Sequence, residues 1–360
     1  MQMLRTMIGR LTGMSRTLID RPLTNASPDD AEFRIDTADH SLQTITPPGD
    51  RHRFEGIAFS PSGQTIGIAA PDTNTLFLFR RKADGRFEDE PYSTISGPAS
   101  GLNYPHDVSF ASSGDSEMLA VAQRTGSICI YEKKKGADDY GSTPVWEIRG
   151  AEAKLIFSDA VAFVPPDNEY LAACNLSVSK LTFYRKVPGE SVRFTSEPVF
   201  ELEHPSISQP DGLAFSSCGQ WLAIANHGAN TVTIFERQAG PRGPIQYGPE
   251  PVTVINDPSL RYAHSVAFTP NTNHLVVTSA GANYFSVYAP ERDASQVTRW
   301  SQTSVLRHTV GPDRIFRKVN ARNKMEGGPK GVAVHDNNLA VCRPEQGLKI
   351  YSFSAGSPVL

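Results

Sequence analysis

The sequence predicts an all-β protein, a six-bladed β-propeller with four-stranded blades. One pattern of residues recurs six times, and each recurrence is followed by short apolar runs separated by polar turns. Each unit is built around one apolar anchor residue: Phe59, Phe110, Phe163, Phe215, Phe268 and Val334. Successive anchors lie 51, 53, 52, 53 and 66 residues apart. Four short strands in a unit of about 50 residues are typical of a propeller blade.

The runs within one unit predict its strands in order. The anchor lies in the first run, and the second run is almost wholly apolar, as in TIGIAA from Thr65. Both runs therefore predict strands that are buried on both faces. The third run alternates, as in TVTIFER from Thr231, and predicts a strand nearer the surface. A fourth run follows in units one to five, for example VFELE from Val199.

The sixth unit ends after its third run, because only SAGSPVL remains. We expect HSLQTIT, from His40 to Thr46, to supply the missing strand. This closure joins the two parts of the chain and leaves no exposed sheet edge in the last blade.

These units divide the chain into an N-terminal tail (1–38), one propeller (39–354) and a C-terminal tail (355–360). The predicted blades are 54–104, 105–157, 158–209, 210–262, 263–328, and 329–354 with 40–46. The N-terminal tail is rich in arginine and has no acid before Asp20. This composition is typical of a disordered tail or of an organelle-targeting segment. We expect a cytoplasmic protein, with organelle targeting through this segment as the alternative.

Composition and motifs exclude several classes of function. The net charge of -3 does not favour nucleic acid or an anionic membrane surface, and no apolar run is long enough for a transmembrane helix. No pair of cysteines has the C-x-x-C spacing of a zinc knuckle. The sequence also lacks a G-x-S-x-G elbow, a P-loop and an H-E-x-x-H motif. No motif of a common catalytic class is therefore present.

One repeated position carries polar side chains in all six units. Four residues before the anchors stand Glu55, His106, Asp159, Asp211, His264 and Lys330. Because the first strand of each blade lines the central axis, we expect these six side chains to surround one end of the channel. The connections between second and third strands open on the same face. These connections contain Asp72, Arg124, Asn175, Asn226, His227, Asn283 and Arg343. The candidate ligand-binding residues are Arg124, Asn175, Asn226, His227, Lys330 and Arg343.

The carboxylates and imidazoles of this ring are a candidate site for one divalent metal ion. The candidate ligands are Glu55, His106, Asp159, Asp211 and His264. Mixed carboxylate and imidazole ligands suit Zn, Mn or Fe better than Ca. A metal there polarises an ester carbonyl and activates a bound water. The candidate catalytic residues are then Asp159, Asp211, His106 and His264. Hydrogen bonds within the blade turns explain the same polar residues without a metal.

PDGLAFSSCGQWLAIANHGANTVTIFER, from Pro210 to Arg237, resembles the repeats of the lactonase-like and YVTN-type propellers. FEGIAFSPSG and PDGLAF are similar, more weakly, to the six-bladed gluconolactonase family related to regucalcin. The second resemblance implies a divalent metal held by a Glu, two Asn and an Asp. Glu55 and Asp211 match the Glu and the Asp. His106 and Asp159 stand where the two Asn would be.

The last interval is about 13 residues longer than the others, and its extra chain is strongly basic. Between Arg299 and Lys330 there are eight basic residues and only two acids, Asp313 and Glu326. Such a segment is a candidate docking site for an acidic partner, or a solvated loop.

Two functional hypotheses follow. The first is a soluble propeller that binds a small ligand or a protein partner on its loop face, at the central channel. The alternative is a metal-dependent hydrolase of lactonase type that uses the ring of carboxylates and histidines.

Overall fold

The computed structural model describes residues 33–36, 43–46, 48, 53–239, 243–293, 295, 297–311, 326–344 and 347–356. Two short strands, β1 (Phe33–Asp36) and β2 (Gln43–Ile45), come first. Six antiparallel sheets follow, one for each predicted blade, and they confirm the six-bladed propeller. No helix in the described ranges is long and apolar enough to cross a membrane.

The blades follow the chain in order. Blade 1 contains β3 (Ile57–Phe59), β4 (Thr65–Ala70), β5 (Thr75–Arg80) and β6 (Ser93–Ile95). Blade 2 contains β7 (Pro105–Ser113), β8 (Ser116–Gln123), β9 (Ser127–Lys133) and β10 (Trp146–Ile148). Blade 3 contains β11 (Ser158–Val164), β12 (Tyr170–Asn175), β13 (Lys180–Arg185) and β14 (Phe200–Glu203).

The second half repeats this arrangement. Blade 4 contains β15 (Pro210–Phe215), β16 (Trp221–Asn226), β17 (Thr231–Glu236) and β18 (Thr253–Ile255). Blade 5 contains β19 (Ala263–Phe268), β20 (Leu275–Ser279), β21 (Tyr284–Tyr288) and β24 (Leu306–Thr309), with a hairpin of β22 (Pro290–Arg292) and β23 (Thr298–Trp300) before its last strand. Blade 6 contains β25 (Val332–His335), β26 (Asn338–Arg343) and β27 (Gly347–Ala355). Short 3₁₀ turns span Pro71–Thr73, Pro98–Ser100, Ala151–Ala153 and Leu176–Val178.

The N-terminal strands complete blade 6. β2 pairs with Leu348–Ile350 of β27, which is the closure predicted for the segment from His40 to Thr46. β1 pairs with Ser352–Ala355 on the same edge of β27, although it lies in the segment that the sequence pattern assigned to the tail. The ring therefore closes with one long strand, β27, held by two short strands. Residues 1–32 of the tail lie outside the described residues.

The hydrophobic core lies between the blades. Each of six clusters of buried apolar side chains joins two neighbouring blades, for example Leu76 and Leu78 of blade 1 with Val121 of blade 2. Both faces of the third strands are covered as a result, and β5 has five buried residues followed by one exposed residue. The third strands do lie farther from the axis than the first two, but the alternation in their sequence does not mark an exposed face. The alternation of buried and exposed residues occurs instead in the outer strands β2 and β6.

Candidate functional site

The six innermost strands form a closed ring, and β-bulges direct polar side chains toward one end of it. Each of β3, β7, β11, β15, β19 and β25 lies beside the next, and β25 lies beside β3. In β7 the register shifts between Pro105 and Asp107, so that His106 is the extra residue. Asp211 is the extra residue of β15 in the same way. The bulges of β11 and β19 contain Asp159 and His264. Bulges commonly re-aim a side chain beside a functional site.

Glycines allow the strands to approach closely at this end of the ring. A Cβ atom on Gly56 would lie 2.4 Å from Cα of Asp107 in the next blade. A Cβ atom on Gly331 would lie 2.4 Å from the carbonyl oxygen of Glu55, and Gly212 meets blade 5 in the same way. The side chains that flank these glycines are consequently brought together rather than spread around a wide channel.

All six predicted ring residues converge, and each is at most 4% exposed. Oε2 of Glu55 lies 3.3 Å from Nε2 of His264, 3.8 Å from Nε2 of His106 and 3.8 Å from Nζ of Lys330. Nε2 of His264 is also 3.6 Å from Oδ2 of Asp211. The rings of His106 and His264 are stacked, with their centroids 5.6 Å apart. The end of the channel is thus filled by an ionisable cluster.

One side of this cluster is an ion pair with complete hydrogen bonding. Arg124, from the connection after β8, donates from Nε to Oδ1 of Asp159 at 2.7 Å and from Nη2 to Oδ2 at 2.8 Å. Burial alone would lower the pKa of Arg124, but the Asp159 carboxylate raises it above its ordinary value. Both oxygens of Asp159 are used by this bidentate pair, which is the strong form of an Arg–carboxylate contact.

Lys330 is neutralised by a second pair. Its Nζ atom donates to Oε2 of Glu326 at 2.7 Å, and the other oxygen of Glu326 lies 3.1 Å from Nε2 of His227. Burial alone would raise the pKa of Glu326, but His227 and Lys330 hold it well below its usual range. The ring of His227 stacks on Tyr262 at 4.9 Å. A line of contacts therefore leads from the buried ring to the loop face.

The other side of the cluster has unsatisfied polar atoms. Within the described residues, Oε2 of Glu55, Nε2 of His106 and both ring nitrogens of His264 are buried without a hydrogen-bond partner. Oδ1 of Asp211 is likewise buried without a hydrogen-bond partner in the described residues. The 3.3 Å contact between Glu55 and His264 therefore lacks hydrogen-bond alignment. Buried polar atoms without partners are rare in native proteins, so each points to an additional ligand or water.

Burial sets the charge of the two histidines. It lowers the pKa of His106 to about 3, with Arg124 acting in the same direction. It also lowers the pKa of His264 to about 4, helped by Lys330. Both rings are therefore neutral at pH 7, and each neutral imidazole has one nitrogen that carries a lone pair.

The carboxyl groups that face these rings shift in opposite directions. Burial raises the pKa of Asp211 well above its usual range, and the nearby Asp159 adds to this effect. Burial would also raise the pKa of Glu55, but the charges of Lys330 and Arg53 hold it well below its usual range. Glu55 is thus the ionised carboxylate on the unsatisfied side of the ring.

Two of the predicted ligand-binding residues form internal hydrogen bonds. Asn175 and Asn226 are fully buried. The side-chain oxygen of Asn175 accepts from the N–H of Ile156 at 2.9 Å, and that of Asn226 accepts from Ser208 at 3.0 Å. These amides brace the connections of their blades rather than line an exposed surface. Of the rest, Asp72 is exposed and Arg124 is partly exposed on the loop face, whereas Arg343 is buried.

The basic insert is only partly described. Five of its basic residues lie outside the described residues: Arg314, Arg317, Lys318, Arg322 and Lys324. Arg299 pairs with Asp293 at 2.7 Å in the β22–β23 hairpin, and Arg307 lies over the ring of Tyr284. Lys330 is buried at the axis. These three residues therefore do not form one exposed basic patch.

An aromatic rim around the ring was missed from the sequence. Tyr104, Phe157, Gln209 and Tyr262 each precede an innermost strand, and all four have a left-handed backbone with φ between 46° and 61°. This conformation is unusual for bulky residues and is often found at functional sites. The backbone carbonyl groups of these four residues accept hydrogen bonds from the connections that follow the second strands. The carbonyl of Tyr104, for example, accepts from the N–H of Arg124 at 3.2 Å. The sequence did contain a signal for this rim, because three of the six units have an aromatic residue six positions before the anchor.

The preceding blade braces this rim. The side-chain oxygen of Asn74 accepts from the N–H of Tyr104 at 2.7 Å, and that of Asn230 accepts from Tyr262 at 2.5 Å. The Arg124 guanidinium lies 5.0 Å from the ring centre of Phe157 and 5.9 Å from that of Tyr104. The rim is thus tied to the buried Asp159 pair through Arg124.

The comparisons with known proteins place the fold among β-propellers. The chain is similar to the β-propeller domain of Cps50 (Swd1) from Myceliophteria thermophila, with a TM-score of 0.54 and 12% identity over 86% of this chain and 99% of that one. It is similar to the RRP9 WD40 repeats, with a TM-score of 0.54 and 11% identity over 89% and 100% of the two chains. A protein from Lactobacillus plantarum gives a TM-score of 0.51 and 15% identity over 72% of each chain.

These similarities show the fold alone, because each identity is low. No protein-family model matches the sequence, and none of the curated proteins matches it. The resemblance to the lactonase-like and gluconolactonase families is therefore not confirmed. The six-bladed propeller, which the repeat predicts, is confirmed by the structure.

Proposed function

We propose that this protein is a recognition propeller that binds a protein partner on its loop face, beside the central ring. The observation that carries the proposal is a set of exposed apolar side chains on two connections of blade 3, which are joined by the hydrogen bond from Leu176 to Phe157. Ile156, Phe157 and Val178 are 49%, 41% and 38% exposed. Large apolar side chains exposed together on a rigid surface mark interaction sites more often than isolated ones do.

The rim is suited to anchor a partner because its backbone is held from both sides. The N–H of Leu176 donates to the carbonyl of Phe157 at 3.1 Å, and the N–H of Ile156 donates to Asn175 at 2.9 Å. Phe157 also covers Arg124, whose charge is already used by Asp159. Such an anchor offers apolar contact area with little conformational entropy left to lose on binding. Propellers commonly serve as platforms of this kind.

The test compares the rim with equally exposed apolar residues elsewhere. The rim variant is Ile156→Ser/Phe157→Gly, because glycine adopts the left-handed backbone of residue 157 without strain. The control is Val145→Ser/Val199→Ser, whose side chains are 45% and 49% exposed where outer strands begin. Proteins captured from a lysate of the source organism are identified by mass spectrometry. Each captured protein is then purified, and its affinity is measured for the unchanged protein, the rim variant and the control variant.

We expect the rim variant to bind the partner about tenfold more weakly or worse, a loss of at least about 1.4 kcal/mol, while the control binds as the unchanged protein does. Equal affinity of all three proteins for every captured partner would refute the proposal. Capture of a small molecule instead, detected by native mass spectrometry and lost in the rim variant, would assign the face to a ligand.

Metal-dependent hydrolysis is the second candidate, and the unsatisfied atoms of Glu55, His106 and His264 favour it. It requires an ester or lactone carbonyl to reach a ring whose residues are at most 4% exposed. Partner binding uses residues that are already on the surface, and we place it first for that reason. A panel of lactones and esters, tested with and without Zn²⁺ and Mn²⁺, measures the second candidate directly.

A further inference from the structure

The unsatisfied side of the ring combines two imidazoles and one carboxylate. Glu55, His106 and His264 each offer one ligand atom, and these three atoms lie within 4.8 Å of one another. A metal ion about 2.1 Å from two ligands holds them roughly 3.0 to 3.4 Å apart in octahedral or tetrahedral geometry. The observed distances from Oε2 of Glu55, 3.3 Å to His264 and 3.8 Å to His106, need only small side-chain adjustments to match.

The tautomer of His106 is decided by its other nitrogen. Nδ1 of His106 lies 2.8 Å from the carbonyl oxygen of Asp159. A carbonyl oxygen can only accept, so Nδ1 carries a proton and Nε2 is the nitrogen left to bind a metal ion. Nε2 lies 3.8 Å from Oε2 of Glu55, and neither atom has a hydrogen-bond partner in the described residues. A ligand between these two buried polar atoms would satisfy both of them.

The surroundings resemble those of a metal-binding histidine. Such histidines usually donate their second N–H to a carboxylate or a backbone carbonyl, as His106 does to Asp159. The other oxygen of Glu55, Oε1, forms an ion pair with Arg53, whose Nε atom is 3.0 Å away. Oδ1 of Asp211, which has no hydrogen-bond partner in the described part of the chain, adds a candidate fourth ligand beside His264.

The nearby Lys330 does not exclude a cation. Its ammonium group is 2.7 Å from Oε2 of Glu326, which compensates its charge. Five carboxyl groups and three permanent cations make up the ring and its direct partners: Glu55, Asp72, Asp159, Asp211 and Glu326 with Arg53, Arg124 and Lys330. The carboxylates outnumber the cations even when Asp211, whose pKa is raised by burial, is left out, so the charge of the cluster favours a bound cation.

We propose that Glu55, His106 and His264 bind one divalent transition-metal ion of the Zn²⁺ type at the loop-face end of the channel. Two imidazoles with one carboxylate suit Zn²⁺, Fe²⁺ or Mn²⁺, whereas Ca²⁺ prefers oxygen ligands. The other group of close ligand atoms, His106 with Asp159 and Asp211, is less suitable because Arg124 uses both oxygens of Asp159. The site requires neither the partner-binding function nor access of a substrate.

The experiment titrates tag-free, full-length, chelator-treated protein with ZnCl₂ by calorimetry and follows thermal unfolding in parallel. The ring variants are Glu55→Gln and His264→Gln, which keep side-chain size. The control is His274→Gln, because His274 is 1% exposed and lies outside the ring. We expect one ion per chain in the unchanged protein and the control, with a melting temperature that rises with Zn²⁺ concentration. Affinity should be about tenfold lower or worse in the ring variants.

Two results would overturn the proposal. The first is no saturable binding of Zn²⁺, Mn²⁺ or Fe²⁺ at millimolar concentration, in which case a buried water satisfies the same atoms. The second is equal binding by the ring variants, which places the ion elsewhere. Should those variants fail to fold, X-ray absorption of the Zn²⁺-loaded unchanged protein decides. Two imidazole ligands support the site, and a shell without imidazole refutes it.

Discussion

The two sides of the central ring differ in how completely their polar atoms are satisfied. On one side Asp159 is fully buried, and both of its oxygens accept from Arg124. On the other side Glu55, His106 and His264 are almost as deeply buried, yet each has at least one polar atom without a partner in the described residues. Burial is therefore similar on the two sides, and hydrogen bonding is not.

This difference separates structural from functional candidates at one repeated position. A buried ion pair with complete hydrogen bonds has no remaining capacity for a ligand, so Asp159 is better explained as a structural residue. Buried polar atoms without partners are unfavourable, and a bound cation would satisfy them. The same position in the repeat is thus structural where a neighbouring blade supplies a hydrogen-bonding partner, and is a candidate ligand-binding position where it does not.

The largest expected effect on the free energy of unfolding is on the side of the ring that contains the Arg124–Asp159 pair. Arg124→Met leaves the Asp159 carboxylate buried without its partner, which should lower the free energy of unfolding by about 3 kcal/mol or more. Arg124→Met/Asp159→Asn removes both charges and should recover at least half of that loss. Urea unfolding measures both. A loss of less than about 1 kcal/mol in the single variant would contradict the structural role of the pair.

A buried histidine away from the axis provides a reference for burial alone. His274 is 1% exposed, and burial lowers its pKa from 6.5 to about 4. Because the folded pKa is lower than the unfolded one, this contribution is complete above pH 6.5 and is lost as the pH falls to 4. The free energy of unfolding should therefore fall by up to about 3 kcal/mol more in the unchanged protein than in His274→Gln. Parallel curves for the two proteins between pH 7 and 4 would refute this.

The close approach of the innermost strands predicts a smaller effect. A Cβ atom on Gly212 would lie 2.4 Å from the carbonyl oxygen of His264 and 2.7 Å from Cα of Ser265. Backbone atoms cannot move aside cheaply, so Gly212→Ala should cost about 1–3 kcal/mol. Gly141→Ala is the control, because its nearest neighbour would be 3.7 Å away. Thermal unfolding should show a change only in the first, and equal changes would argue against tight packing at the ring.

The smallest effect is expected on the incomplete side. His264→Leu replaces a ring whose two nitrogens lack hydrogen-bond partners, so metal-free protein should lose less than about 1 kcal/mol. The variant should also lose the stabilisation by Zn²⁺. A loss as large as that of Arg124→Met in chelator-treated protein would show that His264 is fully satisfied and would remove the contrast between the two sides.

Much of the site could be predicted because it follows the repeat. Glu55, His106 and His264 stand at one position relative to their anchors, and the fold places that position at the axis. The roles of Asn175 and Asn226 could not be predicted, because an asparagine at a strand end reads the same whether it faces solvent or braces its own blade. Their burial depends on the connections that cover them.

The pairing of Arg124 with Asp159 illustrates what sequence patterns leave open. The two residues are 35 positions apart and belong to neighbouring blades. Nothing in either repeat unit indicates which cation will reach which carboxylate, because that depends on the angle and separation of the blades. The left-handed backbone of Phe157 is equally hidden, since a phenylalanine gives no local signal for a positive φ.

The sequence by itself determined the number of blades, the strand order within each blade and the identity of the six ring residues. These properties repeat, and short-range alternation of apolar runs and turns encodes them. Only the tertiary structure decided which ring residues are satisfied, that both N-terminal strands close blade 6, and that an aromatic rim surrounds the ring. Those properties depend on contacts between blades, and such contacts exist only after the ring has closed.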